Sequence, residues 1–155
     1  METKPEYQVY FLSLGDENLA RGMLNLFGEA FDERETYCQH QPTDAYLRSL
    51  LSKDHFIALV AVQSGEVIGG LAAYELMKFE QQRSEIYIYD LAVKEAYWRQ
   101  GIATELISHL QSLAADRGAY VIFVQADYGD EPAIRLYEKL GQKEEVLHFD
   151  IPPTA

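Results

Sequence analysis

Two hydrophobic periods alternate along the chain, and each predicts an element. Residues Tyr7 to Leu12 (YQVYFL) are aromatic and apolar, as a first strand requires. From Leu19 the spacing becomes helical. Leu19, Met23, Leu26, Phe27 and Phe31 recur behind Asp16 or Asn18 as cap, and Leu47, Leu50 and Leu51 behind Thr43 or Asp44. The polar FDERETYCQHQP between these helices predicts a loop. Phe56 to Val62 and Val67 to Tyr74 form a hairpin around Gln63-Ser64-Gly65-Glu66, with Gly65 supplying positive φ. After the polar MKFEQQRS, Glu85 to Val93 (EIYIYDLAV) is β-branched and aromatic. An apolar stripe of Ile102, Ala103, Leu106, Ile107, Leu110, Leu113 and Ala114 follows and stops at Gly118. Tyr120 to Val124 is a buried-type strand, and strand, helix, strand at this spacing demands a right-handed parallel crossover. Pro132 opens a last helix, capped by Asp130 or Glu131 and closed by Gly141, and Glu145 to Ile151 (EVLHFDI) reads as a final strand. The result is an α+β fold with a mixed sheet and about four helices, in a single domain spanning residues 1–155.

Composition sets limits on this picture. A chain of 155 residues with 48% hydrophobic and 25% charged residues buries a core of ordinary size. No apolar run is long enough to cross a bilayer, and Met1 to Leu14 lacks a basic start followed by an apolar block, so a cytoplasmic location and no membrane partner are expected. The net charge of −12 argues against nucleic acid, which needs clustered Lys and Arg, and suits either solubility or a cationic substrate. The lone cysteine, Cys38, excludes an internal disulfide, and with His40 it offers too few ligands for a closed metal site, so no metal is expected.

Three stretches carry chemistry. Gly101, entered from a strand and followed by a helix, leaves backbone N–H groups pointing outward at the positive end of the helix dipole, an anion cradle. Strand alternation places Asp90 on one face with Ile86, Ile88 and Ala92, and a carboxylate among apolar side chains needs a partner, a cation or a cleft. Asp127, Tyr128, Asp130 and Glu131 form an acidic rim; Asp130 and Glu131 serve as helix caps, whereas Asp127 has no such structural use. Glu85, Glu80, Tyr89 and the loop around Tyr37 and His40 are further candidates for lining a substrate cleft.

The succession DLAV, WRQGIAT, the striped helix and AIRLYEKLG is similar to the acetyl-CoA signature of the GNAT superfamily of N-acetyltransferases. The strings TYCQHQP, FIALVA, LAAY, KFEQ, RSEIYIYDLAV, RQGIAT, GAYVIFVQADYGDEPA, LYEKLG and EEVLHFDI, spread from Thr36 to Ile151, resemble its type I aminoglycoside 3-N-acetyltransferase subgroup. That resemblance implies a GNAT fold: a twisted, mostly antiparallel sheet of six to seven strands around a strand–helix–strand acetyl-CoA core. It implies acetyl-CoA as cosubstrate, held by backbone groups of Leu91, Ala92 and Val93 and by the pyrophosphate loop Arg99, Gln100, Gly101, Ile102, Ala103 and Thr104. Trp98 stands where the family usually has Gln or Arg.

By the same resemblance Asp90 meets the substrate amine and Tyr137 protonates the departing thiolate. Glu85, Tyr89, Asp90, Asp127, Tyr128 and Asp130 would face a cationic aminoglycoside. A polyamine or protein N-terminus as acceptor, or a non-catalytic acetyl-CoA sensor, remain open, while a nucleotide-binding fold would need more parallel units than the pattern contains. The final strand leaves an edge for a second chain, so a homodimer is expected.

Overall fold

The structure, a computed structural model, describes residues 6–154. It divides between Gln125 and Ala126 into two compact units. The first contains a five-stranded sheet in sequence order: β1 (Gln8–Phe11), β2 (Phe56–Gln63), β3 (Glu66–Met77), β4 (Ser84–Val93) and β5 (Ala119–Val124). Strands β1 to β4 are antiparallel to their neighbours, and β5 lies parallel to β4 after the crossover through α3 (Ile102–Arg117). The hairpin turn between β2 and β3 has positive φ at both Ser64 (50°) and Gly65 (79°), the pairing that matches the twist of a tight hairpin.

Helices cover both faces of the sheet. Helix α1 (Glu17–Ala30) sends Met23 and Phe27 onto Ala58, Val60, Ala72 and Ala92. A Cβ at Gly70 would lie 2.6 Å from Met23 Cγ, so glycine here is what lets α1 approach β3. On the opposite face, a Cβ at Gly69 would lie 2.9 Å from Ile102 Cγ2, which fixes that side as the one packed by α3. Alternation along the strands puts Leu59, Leu71 and Ile86, all fully buried, on the α3 face. Helix α3 begins at Gly101 (φ 81°) and ends at Gly118 (φ 74°), the two positions where left-handed backbone is required.

Helix α2 (Asp44–Leu51) is capped by Thr43, whose Oγ1 accepts from the Tyr46 N–H. Asp16 precedes α1 without capping it by side chain; its carboxylate instead accepts from the Ser13 N–H at 2.8 Å. The segment expected to be a plain loop contains a π-helical turn, Glu35–Gln39, followed by the bend that leads into α2. Its Cys38 sulfur packs against Gly28, where no side chain would fit.

The second unit holds α4 (Glu131–Glu138) and the tail. Asp130 caps α4, its Oδ1 accepting from the Ala133 N–H. The expected final strand, Glu145 to Ile151, does not form: residues 142–154 pair with no strand, which leaves the sheet with five strands rather than six to seven. A period-two pattern supplies a strand's side chains, but a strand also needs a ladder of backbone hydrogen bonds to a paired neighbour. Among the described residues no helix is long and apolar enough to cross a membrane.

Candidate active site

The site is organised by one residue left out of register. Ala72 pairs with Asp90 and Ala73 with Ile88, so Tyr89 has no partner on β3 and forms a β-bulge in β4. The bulge resets the alternation. Ahead of it, Ile86 and Ile88 face α3; beyond it, Asp90 and Ala92 face α1, on the same side as Tyr74 and Tyr87. Asp90 therefore does not share a face with Ile86 and Ile88, as unbroken alternation would have it. The bulge turns its carboxylate out of the α3 core and into an aromatic enclosure.

Tyr37, carried by the π-helical turn, donates its hydroxyl to Asp90 Oδ1 at 3.0 Å. The Tyr37 ring is held at 5.9 Å from Phe27 and 5.7 Å from Phe31. Around Asp90, the Tyr89 ring lies 6.0 Å from Tyr74 and 5.5 Å from Tyr87, and Tyr87 stacks on Phe123 at 4.6 Å. Burial raises the Asp90 carboxyl above the usual carboxylate range; the Tyr37 hydrogen bond opposes this and the nearby Glu33 charge adds to it. Burial, followed by the Asp90 charge, also pushes up the Tyr37 and Tyr74 hydroxyls. Tyr74, Tyr87 and Phe123 carry no motif and were not singled out in the sequence; Tyr87 lies in the aromatic-rich EIYIYDLAV, Tyr74 and Phe123 in the apolar runs read as neighbouring strands.

Beyond the bulge β4 also loses a neighbour. Its pairing with β5 ends at Ile88 and Val124, so Asp90 to Val93 are paired with β3 alone. The Lys94 N–H donates to the Ile68 carbonyl, which makes Val93 and Gly69 a non-hydrogen-bonded pair. The N–H and C=O of Val93, and by alternation those of Leu91, consequently point away from β3 to the open side. The Val93 carbonyl is taken by the Trp98 indole N–H at 2.7 Å. Its N–H remains available, and Ala92 is a core residue on the α1 side.

Trp98 thus ties the following loop to the end of β4. Arg99 (φ 63°) and Gly101 (φ 81°) both have left-handed backbone, an uncommon state for an arginine and one that gathers successive N–H groups into a concave turn. The first intrahelical bond runs from the Glu105 N–H to the Gly101 carbonyl, and no side chain caps the helix. The N–H groups of Ile102, Ala103 and Thr104 are left without helical partners. Arg99 and Gln100 are exposed, and a Cβ at Gly101 would meet open space. Ile102 is buried and anchors the helix start on Gly69.

A strand that parts from its parallel neighbour beside an uncapped helix N-terminus agrees with the family comparison, in which residues 21–142 match the acetyltransferase (GNAT) family. The chain belongs to the GNAT family. It is 60% identical to the crystal structure of an aminoglycoside acetyltransferase, HMB0005, from an uncultured soil metagenomic sample, with a TM-score of 0.94 over 96% of this chain and 99% of that one. A second soil metagenomic aminoglycoside acetyltransferase, meta-AAC0020, solved in complex with sisomicin, is 28% identical with a TM-score of 0.88 over 96% of this chain and 97% of that one. An uncharacterized N-acetyltransferase of Bacillus subtilis (strain 168), YhfO, is 27% identical over 75% of this chain and 81% of its own length.

In this GNAT chain the remaining candidates divide by what already occupies them. Glu85 pairs with Lys78 at 3.5 Å and accepts from the Tyr120 hydroxyl at 2.8 Å, so its charge is balanced within the fold. Glu80 pairs with Arg83 at 3.3 Å. In the second unit Asp130 is the α4 cap, Tyr128 is exposed, and the Asp127 carbonyl accepts from the Asp130 N–H at 3.2 Å. Burial and then the Asp130 charge push the Tyr137 hydroxyl up to about 12. Among the described residues no group of three or more His, Cys, Asp and Glu is arranged to hold a metal.

Proposed function

We propose that this GNAT protein transfers the acetyl group of acetyl-CoA to an amino group of an aminoglycoside, at position 3 of the deoxystreptamine ring. The observation that carries the reading is Asp90: a half-buried carboxylate of raised basicity, turned by the Tyr89 bulge into a wall of tyrosines at the end of an open strand edge. The 60% identity to an aminoglycoside acetyltransferase supports the substrate class, and the strings from Thr36 to Ile151 support the position.

Acetyl-CoA fits the groups that the fold leaves unpaired. The turn at Arg99 to Thr104 receives the pyrophosphate through backbone N–H groups, with Arg99 offsetting the repulsion of a chain of net charge −12. The open edge at Leu91 and Val93 pairs with the pantetheine amides like an added strand. Asp90 accepts a proton from the substrate ammonium, directly or through a water, and the neutral nitrogen attacks the thioester carbon. The Val93 N–H donates to the oxygen as charge develops on it. As the carbon–sulfur bond breaks, Tyr137, protonated throughout the neutral range, gives its proton to the thiolate, and the second proton lost by the nitrogen as it becomes the amide restores the tyrosine by way of solvent. Tyrosine faces around Asp90 suit a ligand of several ammonium groups and sugar rings, with Tyr89, Asp127, Tyr128, Asp130 and Glu85 as further contacts.

The test is CoA release with a gentamicin-type aminoglycoside, with the acetylated nitrogen assigned by NMR. Asp90→Asn is expected to lower kcat/KM by about 10²–10⁴ with acetyl-CoA affinity retained, and Tyr137→Phe to lower kcat with the ring still packed. Full activity of Asp90→Asn removes it from this role, acetylation at another nitrogen corrects the position, and CoA binding without turnover on any amine supports a sensor instead.

A further inference from the structure

Trp98 is placed by a hydrogen bond and not by burial. Its side chain is 55% exposed, yet its indole N–H reaches back along the chain to the Val93 carbonyl at 2.7 Å. That carbonyl lies on the open side of β4: Val93 faces Gly69 as a non-hydrogen-bonded pair, so both of its backbone groups point away from β3, where β5 has already parted. The indole N–H therefore stands where the amide N–H of an added strand would stand. Leu91 keeps both of its groups for such a strand and Val93 keeps only its N–H, so the receptive edge ends at Val93.

The same bond fixes the chain that follows. Between Val93 and Trp98 runs a single 3-10 turn, Glu95–Tyr97, in which the Tyr97 N–H donates to the Lys94 carbonyl at 2.8 Å and the Trp98 N–H to the Glu95 carbonyl at 3.1 Å. The next residue, Arg99, has φ 63°, a state that a residue with a side chain holds only where its surroundings impose it. Trp98 clamps the chain just before Arg99. Ile102, buried against Gly69, clamps it just after Gly101. The concave turn is thus pinned at both ends and exposed between them, at Arg99, Gln100 and Gly101.

We propose that Trp98 is a positioning residue for acetyl-CoA: its indole keeps the Val93 carbonyl with and without the ligand, ends strand-like pairing at the Val93 N–H, and holds Arg99 to Gly101 in the conformation that presents backbone N–H groups to the pyrophosphate. The proposal rests on acetyl-CoA as the ligand of the turn and on nothing about the acceptor amine. An uncharged indole contributes by ordering the turn before the ligand arrives, which removes an entropic cost from binding. It touches none of the reacting atoms, so its effect falls on affinity and leaves the chemical step alone.

Trp98 is the one tryptophan of the chain, so its indole N–H gives a single NMR signal in isotope-labelled protein. That signal should exchange slowly with water in the free protein and remain slow when CoA is saturating. Trp98→Phe keeps a ring and removes the donor; calorimetry with CoA should give a Kd raised about 3–10-fold, the worth of one hydrogen bond. With a gentamicin-type aminoglycoside, KM for acetyl-CoA should rise with that Kd while kcat at saturating acetyl-CoA stays at the wild-type value, a split that a loss of folded protein would not produce. An indole that exchanges fast in the free protein overturns the proposal. So does one released to fast exchange by CoA, which would make it a contact that the ligand displaces, and so does a Trp98→Phe variant that binds CoA as tightly as a CoA-binding wild type. A wild type that binds no CoA would remove the acetyl-CoA reading of the turn itself, and the role of Trp98 with it.

Discussion

Two halves of one strand, Ser84 to Ile88 and Asp90 to Val93, lie against the same β3 neighbour, yet the first is paired along both edges and the second along one. In the first half the backbone is consumed by the sheet, and Ile86 and Ile88 are consumed by the core. In the second half the parting of β5 frees the outward N–H and C=O groups of Leu91 and Val93. The bulge at Tyr89 turns Asp90 from the α3 face to the aromatic one. The difference is made by pairing: a single unmatched residue and the end of one ladder convert structural strand into site.

The largest effect expected on this contrast is in the paired half. Ile86→Ala removes a fully buried side chain and should cost about 2–5 kcal/mol of stability in chemical denaturation, with kcat for the remaining folded protein little changed. Next is Gly101→Ala on the open side. A Cβ there meets no atom, so the cost is only that of φ 81° for an L-residue, about 1–2 kcal/mol, and it should appear as a raised KM for acetyl-CoA.

Asp90→Asn gives a smaller change of the opposite sign in stability. The folded carboxyl titrates above its unfolded value, so the charged form is penalised in the fold at neutral pH and the penalty disappears as pH falls through that range. The Asn variant should therefore melt no lower than wild type at pH 7, and lose any advantage in acid. A wild type clearly more stable than the variant at pH 7 would show that the carboxylate is a structural group.

The smallest effect is that of Tyr37→Phe. It deletes the one contact that favours the Asp90 carboxylate and leaves burial and Glu33 to raise it further, so the acidic limb of kcat/KM should move to higher pH. An unmoved limb would separate Tyr37 from the titration of Asp90.

Much of this was legible in the sequence because it depends on local chemistry. Gly65, Gly101 and Gly118 mark the left-handed positions that tight turns and helix ends impose. Thr43 and Asp130 mark caps, and the stripe from Ile102 to Ala114 marks the helix whose buried side covers the sheet. Asp90 was singled out as a carboxylate in a strand, though on the wrong face, because EIYIYDLAV alternates without interruption and nothing in it signals that Tyr89 is left unpaired. The π-helical turn that delivers Tyr37 was equally hidden, since FDERETYCQHQP has the composition of a loop. Trp98 was visible as a departure from the family pattern, and its hydrogen bond to the Val93 carbonyl gives it a use that no motif conveys.

By itself, then, the sequence determined which segments are helix and which are extended, where turns must be glycine, and which residues could carry charge or a proton. Tertiary structure alone decided which way Asp90 points, which strand edge is open, and whether Glu145 to Ile151 is a strand at all. The physical reason is common to all three: side-chain period and turn propensity are properties of neighbouring residues, whereas register, edge exposure and strand pairing are properties of a second segment distant in the chain.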